Sequence, residues 1–189
     1  RASRGGTRGT SGCCGHMRAI IQRVTRSAVT VDGTQVASIG PGINVLVGIH
    51  RYDTLEDMQF IARKIVNLRI FDNKDGRMWM DSVKSTGGEI LLVSQFTLFS
   101  VMKGFKLDFH NAMSAVDSSQ MFDRLVEEVR SLYQADKVQT GVFGAMMDVD
   151  IHNDGPVTIM IDSPMKGMPS PKELEEEVDG DTATGSGSA

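Results

Sequence analysis

The sequence predicts a single α+β domain, and three observations carry that reading. Two continuous apolar runs, Ile43-Asn-Val-Leu-Val-Gly-Ile49 and Glu89-Ile-Leu-Leu-Val-Ser94, read as strands buried on both faces. Further β-rich segments, punctuated by Gly, Pro, Asn and Asp, surround them. Only two segments repeat apolar residues at helical spacing. Many strands with two main amphipathic helices imply helices packed on a largely β core. A chain of 189 residues, 40% hydrophobic and 23% charged, is long enough to bury one such core.

In chain order, Arg18 to Val24 and Ala28 to Val31 are β-rich, and Asp32-Gly33 signals a two-residue hairpin into Thr34–Ile39. Gly40-Pro41-Gly42 then punctuates before the first buried run. Thr54-Leu-Glu-Asp57 has the pattern of a capping box, and Leu55, Met58, Ala62, Ile65 and Leu68 follow at helical spacing. Asn73-Lys-Asp-Gly76 reads as a turn. After the segment 89–100 the spacing predicts a loop over 101–113. A second helix is expected from about Ser118, with Phe122, Leu125, Val129 and Leu132 inward and Val126 and Tyr133 flanking. Ala145 to His152 and Val157 to Asp162 are expected as two strands joined by Asn153-Asp-Gly-Pro156.

The ends differ in character from this unit. Residues 1–16 are rich in Gly and Arg and hold no acid and no hydrophobic segment. They are read as an upstream extension, a cloning remnant or part of a basic targeting peptide, not as a secretory signal. Residues 164–189 combine Pro169, Pro171, the acidic run 173–177 and a Gly/Ser tail, a composition expected to stay disordered. The folded unit is therefore expected over 17–163. No apolar run reaches the roughly 20 residues that span a membrane. A formal charge of −4 argues against a general basic surface for long nucleic acids, but not against a local basic patch. Cys13 and Cys14, adjacent and outside the patterned region, form no disulfide framework, which fits a reducing compartment with the cytoplasm as default.

Chemistry concentrates in three places. Asp148, Asp150, His152 and Asp154 alternate with apolar residues and so share one strand face. Same-face neighbours lie about 6.6 Å apart, too far to converge on one ion, so a solvated face is expected and no metal. The segment 89–100 places Ser94, Gln95 and Thr97 among large apolar residues, where buried hydroxyls and amides need partners or line a pocket. Ser94 or Thr97 as nucleophile would need a base, and His110 or His152 are the candidates. Gly155-Pro156 reads either as a tight turn or as backbone carbonyls presented to a ligand.

Met17-Arg-Ala-Ile-Ile-Gln-Arg-Val-Thr-Arg26, Ser94-Gln-Phe-Thr-Leu98 and Asn153-Asp-Gly-Pro-Val-Thr158, in this order, resemble the D-aminoacyl-tRNA deacylases, first named D-tyrosyl-tRNA deacylases. The resemblance runs from Met17 to about Asp162. It implies a partly barrel-like α+β fold, a homodimer, and no metal or organic cofactor. The implied activity is hydrolysis of the ester joining a D-amino acid or glycine to the terminal adenosine of tRNA, with L-aminoacyl-tRNA rejected.

Residue by residue, the resemblance assigns Ser94, Gln95, Phe96 and Thr97 to the pocket floor, with Ala112 and Phe143 on its wall. It assigns Gly155-Pro156 to a cis dipeptide inserted into the partner subunit's pocket, where it excludes an L side chain. Arg23 matches an arginine that braces this dipeptide. Leu107 stands where many members carry proline, which bears on loop stiffness and contacts with the tRNA end. Arg63, Lys64, Lys103 and Lys106 are candidate RNA contacts. Two other readings remain open: a nucleic-acid-binding module without catalysis, and a hydrolase of another small ester or amide using Ser94 covalently.

Overall fold

The computed structural model describes residues 16–164. The extension and tail expected at 1–16 and 164–189 therefore lie, apart from His16 and Pro164, outside the described residues. The chain opens with β1 (Arg18–Val31), β2 (Thr34–Ile39) and β3 (Gly42–Gly48). β1 is one 14-residue strand rather than the two expected, because different stretches of it serve different neighbours. Its first half pairs antiparallel with β3 and its last residues with β2. The hairpin between β1 and β2 is as read: Asp32 and Gly33 both take positive φ, 49° and 75°.

Helix α1 (Leu55–Asn67) follows, then β4 (Arg69–Phe71), β5 (Asp81–Ser82), the short α2 (Val83–Thr86) and β6 (Glu89–Ser94). The cap of α1 forms as its sequence predicts, with the Thr54 N–H donating to Asp57 Oδ2 at 2.8 Å. The far oxygen of Asp57 accepts from Ser163 Oγ at 2.8 Å, and that hydroxyl accepts from the Met17 N–H at 2.9 Å. One cap carboxylate thus ties both ends of the folded unit to the helix. Met58, Ala62 and Ile65 are buried, but Leu55, in the first turn, is exposed. The four-residue α2 had no periodic signal, being too short to show one.

A 3-10 turn at Phe96–Phe99 leads into the hairpin β7 (Val101–Lys103) and β8 (Lys106–Asp108), where a plain loop was expected. Helix α3 (Ala115–Leu132) begins three residues before the expected start, because Ser114 caps it by accepting from the Asp117 N–H. β9 (Val138–Thr140) and β10 (Asp148–Asp162) complete the chain.

Five strands run in the order β10-β1-β3-β6-β9, and β2 pairs with β1 off this path. β3, β6 and β9 are mutually parallel, while β1 is antiparallel to β3 and β10. β2 also reaches back against β6 and β9, curling the sheet into a nearly closed barrel. The strand β6 shows why its sequence is apolar throughout. Ile90 and Leu92 enter the core beneath α1 and α3, while Leu91 and Val93 point to the opposite cluster with Val24, Val29, Ala37 and Ile39. Each fully buried side chain of this size contributes about 1.5–3 kcal/mol.

β10 corrects the expectation of two strands joined by a turn. Both halves run antiparallel along the same partner, with Gln22 opposite Thr158 and Val24 opposite Asn153. Between them residues 154–157 bulge out opposite the single residue Arg23. A bulge within one strand, not a hairpin, therefore presents Gly155-Pro156. Its residues 148, 150 and 152 lie on an exposed face, as the alternation predicts, but Asp154 leaves that register in the bulge and is half-buried against Arg23.

Candidate active site

The ladder between β3 and β6 ends at Val47 and Ser94, where the Gln95 N–H donates to the Val47 carbonyl at 2.7 Å. Beyond that bond β3 ends, and the chain tightens into the 3-10 turn. The polar residues of this segment are thus not buried in a strand, as one reading of the sequence had them. Ser94 and Gln95 are half-buried, Phe96 and Thr97 are exposed, and only Phe99 turns into the protein. Gln95 Nε2 donates to Thr97 Oγ1 at 2.5 Å. The N–H groups of Phe96 and Thr97 open the turn and so have no partner within it.

These residues floor a cavity of about 680 Å³. It brings together Ser94, Gln95, Phe96, Thr97, Ala112 and Phe143, six of the nine residues singled out from sequence. Its walls also include Val47, Ile49, Val93, Phe109, Met113, Met146, Met147 and Val149. Phe109 stands edge-on to Phe96, with ring centroids 5.0 Å apart. No side chain lining the cavity is an acid, a histidine, a lysine or an arginine. The two histidines considered as bases are engaged elsewhere: His110 Nδ1 with Asp108, and His152 Nε2 with Asp150 and Arg26. What the cavity offers is therefore hydrogen bonds from backbone, hydroxyl and amide groups inside an apolar wall.

Gly48 shapes this floor, and sequence reasoning passed over it. A Cβ there would sit 2.9 Å from the Phe99 ring and 3.0 Å from Leu98 Cβ. Only a residue without a side chain lets the 3-10 turn pack on β3. The signal was legible, since a Gly inside a buried-strand pattern marks close backbone approach. Met146 and Met147 carried no such signal. They reach the wall because Gly144, with φ 72°, turns the chain toward the cavity.

The remaining three candidates form a second group that does not line this cavity. Gly155 and Pro156 are exposed at the bulge, and their peptide bond is cis. Arg23 lies beneath them. Its Nε is 2.9 Å from Asp154 Oδ2 and its Nη1 donates to the Ile70 carbonyl at 2.7 Å. Asn153 closes the base of the bulge, its Nδ2 donating to the carbonyls of Arg23 at 2.8 Å and Val157 at 3.0 Å. The loop is thus held rigid while its tip projects into solvent.

Two carboxyls elsewhere are perturbed. Burial pushes Asp53 up to about 7, against the donation of the His50 N–H to its Oδ2 at 2.6 Å, and the nearby Asp57 adds to the rise. At the cavity rim, Lys103 and then His110 hold Asp108 well below the usual carboxylate range. Among the described residues no group of three or more His, Cys, Asp or Glu is placed to hold a metal ion. No helix among them is long and apolar enough to cross a membrane.

Comparison with known proteins agrees with the motifs. The profile described as D-Tyr-tRNA(Tyr) deacylase matches residues 20–162. The D-aminoacyl-tRNA deacylase 1 of Bos taurus is 46% identical over 162 residues, covering 85% of this chain and 78% of its own. The D-aminoacyl-tRNA deacylase of Dictyostelium discoideum is 49% identical over 151 residues, 79% of this chain and 100% of its own. Among solved structures, one described as the c-Myc DNA Unwinding Element Binding Protein superposes with a TM-score of 0.76 at 47% identity, over 78% of this chain and 99% of that one. A probable eukaryotic D-amino acid tRNA deacylase superposes at 0.66 with 19% identity over the same shares, a likeness of fold alone. Motifs, barrel-like sheet and matched length lead to one conclusion: the chain belongs to the D-Tyr-tRNA(Tyr) deacylase family.

Proposed function

We propose that this protein is a D-aminoacyl-tRNA deacylase, hydrolysing the ester between a D-amino acid or glycine and the 3′-terminal adenosine of tRNA and leaving L-aminoacyl-tRNA intact. One observation carries the proposal: the motif Ser94–Thr97 floors a cavity whose lining holds hydrogen-bond donors and no titratable side chain. Ester hydrolysis passes through a tetrahedral oxyanion, and donors preorganised around it lower the barrier without a protein nucleophile. The Phe96 and Thr97 N–H groups, with the Ser94 and Thr97 hydroxyls, are the candidate donors. The substrate's ribose hydroxyl and a water carry the proton transfers. A covalent Ser94 mechanism has no base within this lining.

Selection for the D configuration rests on a second subunit. In this reading the protein is a homodimer, and the exposed Gly155-Pro156 of each subunit enters the partner's cavity. Its carbonyls meet the substrate amino group and occupy the space an L side chain would need. Arg23 and Asn153 support the reading by fixing the loop beneath that dipeptide. The cytoplasm, where tRNA is charged and used, is the assigned compartment. The unit 17–163 is proposed to carry this activity without the flanking segments.

The relative described as a DNA unwinding element binding protein favours a second reading, nucleic-acid binding without hydrolysis. A single-turnover assay with D- and L-aminoacyl-tRNA separates the two. Rapid loss of the D ester with the L ester preserved supports deacylation. Binding with both esters intact overturns it.

A further inference from the structure

The hairpin β7–β8 joins the cavity floor to the cavity wall. The chain leaves Thr97, passes through Val101–Lys103 and Lys106–Asp108, and returns as Phe109 and Ala112. Its position at the mouth is thus imposed by the two segments it connects. The hairpin forms a two-stranded sheet of its own, with no third strand beside it among the described residues. An isolated two-stranded hairpin is marginal in water and ordinarily hides its apolar side chains. This one exposes Met102 and Leu107, paired across the strands on one face, and Phe105, fully exposed at the tip.

Charge on the hairpin is arranged just as unfavourably. Lys103 and Lys106 stand directly opposite each other in the ladder, and like charges so placed repel. Lys103 is compensated by Asp108, but no acidic partner meets Lys106 among the described residues. Beside the wall segment, Arg51 lies over the Tyr52 ring at 4.7 Å, and its N–H donates to the Asn111 carbonyl. Both Arg51 and Tyr52 are exposed. A chain of net charge −4 therefore gathers exposed aromatic and cationic side chains at the mouth of this apolar, donor-lined cavity.

We propose that the β7–β8 hairpin is the binding surface for the unpaired nucleotides that precede the terminal adenosine, with Phe105 stacking on a base and Lys106 contacting a phosphate. The proposal rests on the deacylase reading of the cavity. Unpaired RNA is bound by base stacking on aromatic rings together with cations that follow the backbone, and the hairpin supplies both. A strand whose last nucleotide occupies the cavity must cross this rim.

The test compares wild type, Phe105→Ala, Lys106→Ala and Lys106→Arg on D-tyrosyl-tRNA and on the truncated ester D-tyrosyl-adenosine. Binding of uncharged tRNA is measured alongside, and sedimentation gives the oligomeric state. Each alanine variant is expected to raise KM for the tRNA ester on the order of tenfold, with kcat and cleavage of the adenosine ester unchanged. Lys106→Ala should also flatten the salt dependence of tRNA binding, and Lys106→Arg should restore it. Wild-type KM in both alanine variants would overturn the proposal. So would equal loss on both esters or an altered oligomeric state, which would make the hairpin a structural or subunit contact. If wild type cleaves neither ester, the deacylase reading fails instead, and weakened binding of uncharged tRNA in the variants still reports on the hairpin.

Discussion

Arg23 and Asp154 are joined across the bulge of β10, with 2.9 Å between Nε and Oδ2, while the same guanidinium donates to the Ile70 carbonyl at 2.7 Å. One half-buried cation therefore links β1, β4 and the loop that carries Gly155-Pro156. Replacing it leaves the Ile70 carbonyl without its donor and Asp154 without its ion pair. Arg23→Ala is expected to cost about 1–3 kcal/mol of stability. It should also narrow the ratio of D- to L-aminoacyl-tRNA hydrolysis about tenfold or more. Chemical denaturation and paired single-turnover rates check both, and an unchanged ratio removes Arg23 from chiral selection.

The cross-subunit role of Gly155 is open to a mixing experiment. Gly155 has φ 109°, and a Cβ there would approach Val157 Cγ2 to 2.9 Å, so Gly155→Val should deform the loop. Ala112→Trp should fill the cavity wall instead. Each variant alone is expected to lose most activity. Co-refolded hybrids should regain it, because one sound cavity then meets one sound loop. Failure of well-formed hybrids to recover would contradict insertion into a partner.

Ser94→Ala and Thr97→Ala should slow hydrolysis by less than about a hundredfold each, since the backbone donors remain. Thr97→Ala also removes the partner of Gln95 Nε2, so it should be the more damaging of the two. Mass spectrometry of a quenched reaction should find no acyl group on either residue. A trapped acyl-Ser94 would restore the covalent mechanism.

Gly48→Ala should displace the cavity floor without unfolding the domain. The added methyl meets the Phe99 ring and Leu98 Cβ at or below 3.0 Å, and overpacking of this kind costs about 1–3 kcal/mol. The expected result is a folded protein with a clearly lower kcat on D-aminoacyl-tRNA. Wild-type kcat would show that the 3-10 turn does not need its close seat on β3.

Asp53 should leave a signature in stability against pH. Its folded value, pushed up to about 7 by burial, lies above the unfolded value near 3.9. Between these values the folded state holds the extra proton, so its stability falls as pH rises from about 4 to 7 and levels off above. Each unit of separation is worth about 1.4 kcal/mol. Asp53→Asn keeps an acceptor for the His50 N–H and should flatten this slope in pH-dependent thermal melts. Parallel curves for variant and wild type would show that Asp53 does not titrate in this window.

Features set by neighbouring residues were legible from the chain alone. The Asp32-Gly33 turn needs two residues that tolerate positive φ, and the Thr54–Asp57 cap needs a donor and acceptor three apart. The two-faced burial of 90–93 follows from an unbroken apolar run. The motifs around residues 17–26, 94–98 and 153–158 also named the family. What the chain order could not show was which residues would meet. Whether 145–162 made a hairpin or one bulged strand depended on β1 pairing with both halves, a choice made far away in the chain. The exposure of Phe96 and Thr97 followed from where β3 ends, since Val47 is the last residue to offer Ser94 a partner. Strand register joins positions far apart in sequence, and no local period encodes it. The cavity exists only once the register has set Gly48 beneath Phe99 and brought Ala112, Phe143 and Met147 around the same floor.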